Sequence, residues 1–123
     1  MDVLFQRVEA YMQRERPYLD DAFTLAGLAT EMLTNKGKLS KTINEKSGRN
    51  FCQYVNNYRI QYAVSLMKKD HRLRVVELSL MSGFHSVASF NMAFKLFMND
   101  TPSEYMRTLH TMELLHPGKD ADG

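Results

Sequence analysis

Residues 81–107 read "MSGFHSVASFNMAFKLFMNDTPSEYMR". Gly83 is a turn residue and Ser86 is placed to cap a helix. Phe90, Ala93, Phe94 and Phe97 then recur at helical spacing, which gives that helix one buried side. Asn99 tolerates the left-handed conformation that ends a helix. Thr101, with Pro102 at the first helical position and Glu104 reaching back, reads as a capping box opening another helix. Two helices and the turn before them fit into twenty-seven residues. The first helix leaves Val87, Ala88, Asn91, Met92 and Lys95 facing outward, and none of them carries obvious chemistry.

Working outward from this stretch, the same pattern occurs earlier. Residues 28–43 read "LATEMLTNKGKLSKTI". A short helix with Leu25, Leu28, Ala29 and Met32, capped by Thr24, is broken at residues 33–35, and Asn35 caps a second helix with Leu39 and Ile43 inside. Ala29 precedes Leu39 by ten residues, and Ser79 precedes Phe90 by eleven. The small residue allows two helices to approach closely, and the apolar one holds them crossed. This is the helix-turn-helix pattern, whose second helix lies in the DNA major groove. One copy is a weak signal, since small helical domains abound in tight turns. Two copies joined by one long helix are far more specific.

The rest of the chain is helical too. Val3, Leu4, Val8, Tyr11 and Met12 form a first apolar stripe, stopped by Pro17. Gly48 ends the helix begun at Lys36. From Phe51 to about Lys68, the apolar positions Phe51, Val55, Tyr58, Tyr62 and Leu66, widened by Ala63 and Met67, predict a helix about 27 Å long. Such a helix has the length to hold two reading helices about one duplex turn, ~34 Å, apart. Val75, Val76, Leu78 and Leu80 start the short helix before Gly83. The expected organisation is all-α: residues 1–23 a helix and connection, 24–50 the first helix-turn-helix, 51–69 the linker helix, 70–112 the second helix-turn-helix with its closing helix, and 113–123 a flexible tail.

The 123 residues suit one domain, or two very small ones sharing a helix. No run of about eighteen apolar residues is available to span a membrane. The amino terminus is acidic and amphipathic, unlike a signal peptide. One cysteine, Cys52, allows no internal disulfide. Net charge is only +2, but residues 1–31 hold three basic and six acidic side chains, whereas residues 32–110 hold twelve basic and five acidic. A basic centre with acidic flanks is what a nucleic-acid-binding face produces.

The stretches "LATEM", "LSKTINEKSGRNFCQYVNNYRIQYAVSLM" and "MSGFHSVASFNMAFKLFMNDTPSEYMR" resemble the DNA-binding domain of AraC-type (AraC/XylS) transcription regulators over about residues 24–107. The resemblance implies seven helices in two helix-turn-helix subdomains around a linker helix. It also implies sequence-specific binding of double-stranded promoter DNA, contact with RNA polymerase, and a sensory or dimerisation domain outside these residues. It implies a cytoplasmic domain without direct membrane contact, attached in some relatives to a membrane-anchored part. Residues 1–16 read as the stub of a connection to such a domain, and Arg59 as a tie between subdomains. Four positions depart from the family pattern: Leu33 and Asn99 stand where glycine is usual, Ser79 replaces alanine, and Met92 replaces a basic residue. A positive φ at Leu33 would cost about 1 kcal/mol.

In the first unit, Lys36, Gly37, Ser40, Lys41 and Asn44 are expected to face the duplex. Asn44 and Ser40 suit base edges, asparagine above all adenine. Lys36 and Lys41 suit guanine or phosphate, Gly37 allows close approach to the backbone, and Lys38 meets phosphate from the flank. Lys46 and Arg49 extend the positive strip. In the second unit the candidates are His85, Ser86, Val87, Ala88, Ser89, Asn91, Met92 and Lys95. Val87 and Ala88 suit thymine methyl groups, Asn91 a base, and Lys95 a phosphate. The first unit is therefore expected to read sequence and the second to anchor and read shape.

No catalytic set stands out, and no cofactor or metal is implied. The four histidines lack metal-ligand spacing. The nine methionines fit core filling better than a metal site. The competing reading is a protein-interaction module, with Val87, Ala88 and Met92 docking a helix.

Overall fold

The structure, a computed structural model, describes residues 2–116. Seven α-helices follow in order: α1 (Val3–Glu15), α2 (Leu25–Glu31), α3 (Lys36–Ser47), α4 (Phe51–Lys69), α5 (Val75–Met81), α6 (Val87–Met98) and α7 (Pro102–Leu115). A single 3₁₀ turn, Pro17–Leu19, follows α1. There is no strand among the described residues. The chain divides into two compact units inside α4, between Tyr58 and Arg59.

In the first unit α1 is part of the core. Asp2 caps it by accepting from the Phe5 N–H at 3.1 Å, and Val8 and Met12 are fully buried. Helix α1 packs against α3, whose Leu39 and Ile43 are also fully buried. The Tyr54 and Tyr58 hydroxyls both donate to the Glu9 carboxylate, at 3.3 and 3.4 Å. Burial, first of all, raises the pKa of both phenols, and the nearby carboxylate adds to it. The stub expected at residues 1–16 is thus structural.

The second unit is built on Ile60, Ala63, Val64 and Met67 of α4, Leu78 of α5, Phe84, and Phe90, Ala93 and Phe94 of α6, closed by Leu109 of α7. Phe90 and Phe94 meet at a tilt with ring centroids 5.7 Å apart, and Phe94 meets Tyr105 edge-on at 5.6 Å. Arg59 lies over Phe84, its guanidinium carbon 5.7 Å from the ring centroid, a cation–π contact within this unit.

Several local expectations shift. The buried stripe of α4 keeps Val55, Ala63 and Met67 of the expected positions and differs at the others. Tyr54, Val55, Ile60, Ala63, Val64 and Met67 are buried, while Phe51, Tyr58, Tyr62 and Leu66 are half-buried. Phe97 is half-buried as well. Val76 and Leu80 of α5 face outward, at 54% and 65% exposure. Thr101 does cap α7, accepting from the Glu104 N–H at 3.2 Å, but Glu104 does not reach back. Its carboxylate takes Arg107 Nη1 at 2.6 Å, and Asp100 Oδ1 accepts from the Thr101 N–H instead. A true reach-back occurs at α5, where Glu77 accepts from the Arg74 N–H at 2.8 Å. That backbone bond, more than the Arg74 side chain, lowers the Glu77 pKa. Helix α7 runs on to Leu115, past Met112. The remainder of the expected tail, from residue 117, lies outside the described residues.

Both helix-turn-helix turns close in the same way. The Leu33 N–H donates to Thr30 O at 3.1 Å and the Thr34 N–H to Ala29 O at 3.0 Å. Fifty residues on, the Gly83 N–H donates to Leu80 O at 3.2 Å and the Phe84 N–H to Ser79 O at 3.0 Å. This paired closure puts one residue in the left-handed region. Gly83 takes it at φ 92°, and Leu33 takes it at φ 56°. The Leu33 side chain is 88% exposed and recovers little by packing. Leu33→Gly is expected to stabilise the chain by about 1 kcal/mol, read as a raised midpoint in chemical denaturation with unchanged slope.

Candidate nucleic-acid interface

Helix α3 starts at Asn35, whose side chain accepts from the Lys38 N–H at 2.8 Å. It stops at Gly48, left-handed at φ 72°. Leu39, Thr42 and Ile43 form its buried side. Lys36, Gly37, Lys41 and Asn44 are exposed and Ser40 is half-buried. The helical period gathers these five on one face. Asn44 Nδ2 donates to Ser40 O at 3.3 Å, which holds the amide over that face. Lys41 makes a loose ion pair with Glu45 at 3.9 Å; with both groups exposed it is worth little and breaks easily. Lys38 is exposed but does not join the five. It lies at the flank, about 60° round the helix from Lys41 and at the head of a row with Thr42 and Lys46.

Helix α6 starts at Ser86. The Ser86 hydroxyl oxygen accepts from the Ser89 N–H at 3.1 Å, and the hydroxyl lies 2.9 Å from Ser89 Oγ. Capping thus occupies Ser86. His85, Ala88, Asn91, Met92 and Lys95 are exposed, while Val87 and Ser89 are half-buried. Met92 is 75% exposed, and Leu96, which sequence reasoning missed, is 68% exposed. Leu96 was legible as the residue four after Met92 on the same face. Only Lys95 brings charge to this face, against Lys36 and Lys41 on α3.

Gly37 poses a separate question. A methyl group there would meet nothing closer than Asn35 Oδ1 at 3.5 Å, an ordinary contact. The fold does not require the glycine, yet a glycine in a helix costs about 0.5–1 kcal/mol relative to alanine. Among the described residues there is no group of three or more metal-ligating side chains, and no helix long and apolar enough to cross a membrane.

Two helix-turn-helix units, each presenting the outer face of its second helix, define an all-α tandem helix-turn-helix protein. A family model described as a helix-turn-helix domain matches residues 28–108. The chain belongs to that family, in its AraC type. It is 38% identical over 81 residues to the TCP pilus virulence regulatory protein of Vibrio cholerae, covering 66% of this chain and 29% of the relative. The chain thus spans less than a third of the length of that curated relative. Among solved structures it is similar to the C-terminal domain of the two-component response regulator YesN from Fusobacterium nucleatum. That match has 27% identity and a TM-score of 0.70, over 82% of this chain and 95% of the other. The DNA-binding domain of AdpA, solved in complex with a target DNA, shares the fold at a TM-score of 0.74. It is 17% identical, over 96% of this chain and 99% of the other.

Gly37→Ala is expected to raise stability by about 0.5–1 kcal/mol, since the position is helical, open and exposed. Thermal denaturation of the two chains side by side checks this.

Proposed function

We propose that this chain is the sequence-specific DNA-binding part of a transcription regulator, with α3 and α6 each entering a major groove of double-stranded promoter DNA. The observation that carries this reading is the duplicated turn, bonded alike at residues 29–34 and 79–84 and followed each time by a helix with an unoccupied outer face. The membership of the family and the DNA-bound neighbour support it.

In this reading α3 supplies the base contacts. Asn44 and Ser40 address base edges, and Lys36 and Lys41 address guanine or phosphate. Gly37 lets the first turn approach the sugar–phosphate backbone, which gives its stability cost a purpose. Lys38, about 60° round the helix from Lys41, meets phosphate from the flank. Helix α6 offers Val87, Ala88, Asn91 and Met92, with Lys95 and His85 at the backbone. It discriminates little by hydrogen bonding and responds to groove shape. Contact with RNA polymerase, a sensing or dimerising domain elsewhere in the intact protein, a cytoplasmic setting and the lack of any enzymatic activity belong to the same reading. The exposed Met92 and Leu96 favour one second reading, a docking face for a protein helix.

Selection of bound duplexes from a random pool tests the proposal. Two short motifs are expected, one sharply defined and one shape-biased, and their spacing measures how the two units address the duplex. Ser40→Ala with Asn44→Ala is expected to cost about 1–3 kcal/mol at the preferred site and to relax the sharp motif. Asn91→Ala with Met92→Ala should change base preference much less; an equal effect would refute the division of labour. Gly37→Ala should weaken binding while stabilising the chain. Affinity should fall steeply with salt, with a slope of about −0.9 per phosphate contact; a flat salt response favours the protein-docking reading.

A further inference from the structure

Helix α6 leaves an apolar row in the open. Ala88, Met92 and Leu96 are spaced by four and lie in one line along the helix. All three are exposed, Met92 and Leu96 at 75% and 68%. The core side of α6 is Phe90, Ala93 and Phe94. At about 100° per residue, the direction opposite these three passes within about 15° of Ala88, about 30° of Met92 and about 35° of Lys95. Asn91 and Leu96 lie about 70° to either side of it, and Val87 about 110° away. The half-buried Val87, apolar as it is, is turned toward the edge of the core.

The hydroxyls at the start of this helix are engaged with each other and with the backbone. Ser86 Oγ accepts from the Ser89 N–H at 3.1 Å and lies 2.9 Å from Ser89 Oγ. Ala88 and Met92 offer no side-chain donor, and no acceptor beyond a weak thioether. In a helix-turn-helix, the first turns of the second helix are the part that meets base edges. An apolar row there strips water from each base edge it covers and returns no hydrogen bond. Adenine, guanine and cytosine present amino groups or paired acceptors to the major groove, whereas thymine presents its C5-methyl group beside a single acceptor. The row therefore favours thymine twice, by burying a methyl group and by stranding fewer polar groups.

We propose that α6 recognises thymine through its C5-methyl group, with Ala88 and Met92 as the two contacts. This rests on the DNA reading given above and names the group that the second unit selects. Ala88 makes contact with its own methyl group, and the flexible Met92 side chain folds over a methyl group one turn further on. Their Cβ atoms are about 5–6 Å apart and successive bases of one strand rise ~3.4 Å, so the two thymines are adjacent or one base apart. Lys95, on the same side, meets the phosphate beside them.

The test uses a duplex selected from the random pool, with each thymine of the second motif replaced in turn by deoxyuridine. That exchange removes the methyl group and keeps every hydrogen-bonding atom of the base. Affinity is read by fluorescence anisotropy at fixed salt. Two replacements are expected to weaken binding about fourfold each, as for one buried methylene-sized group, and the others not at all. Met92→Ala, a change at an exposed side chain, should weaken binding to the thymine duplex by a similar factor and abolish the response at one of the two positions. A second motif without thymine, or selective binding that ignores every deoxyuridine, overturns the proposal and leaves DNA reading intact. A deoxyuridine response unchanged in Met92→Ala comes from groove shape and overturns it as well. Failure to bind any duplex saturably removes the DNA reading itself, and this proposal with it.

Discussion

Each unit depends on a single backbone event, the left-handed residue that lets a short helix stop and the chain turn within three residues. At Leu33 and at Gly83 the same two carbonyls of the preceding helix are closed by the same two N–H groups. Without that closure, α2 and α5 would end with unpaired carbonyls in a half-buried corner. With it, Leu39 and Phe90 are delivered to full burial within their own units, and the reading helices acquire their direction. The first unit accepts a strained leucine at this point, where the second uses glycine. Burial of Leu28, Leu39 and Ile43 around the turn outweighs a strain of about 1 kcal/mol several times over.

The two units share a backbone plan and differ in what they present. The α3 outer face is polar and cationic, with a glycine that no internal contact requires. The α6 outer face is largely apolar, from Val87 and Ala88 to Met92 and Leu96. Base edges in the major groove are read through hydrogen bonds, and methyl groups through apolar contact. The same plan can therefore carry unequal shares of specificity, with the duplicated turn doing the same structural task on both sides.

Much of the fold was legible because its signals are local. Asn35, Ser86 and Thr101 are caps whose partners lie three residues ahead. Gly48 and Asn99 are left-handed ends, again a property of single residues. The misses have a common cause. In α4, apolar residues occur nearly all round, so counting from Phe51 finds Val55, Ala63 and Met67 but passes over Tyr54, Ile60 and Val64, which are buried as well. Glu104 had two possible partners at similar range, the Thr101 N–H behind it and Arg107 ahead, and the charged one holds it. Val76 and Leu80, four residues apart, share a row of α5 turned away from the buried Leu78 and Ser79, and apolar character alone does not say which row faces inward.

The sequence by itself determined the helices, their ends, the two turns and the face of α3 that carries Ser40 and Asn44. Each of these follows from the helical period and from bonds spanning three to five residues. What only the tertiary structure decided is which other surfaces are covered. Helix α1, legible as an amphipathic segment, became core through Val8 and Met12 and lies against α3. That packing sets Lys38, Thr42 and Lys46 beside Asp2, Val3 and Leu4 around an open cleft. The period fixes the angles between side chains on one helix, whereas their surroundings depend on contacts between segments some forty residues apart, such as Asp2 and Thr42 at this cleft.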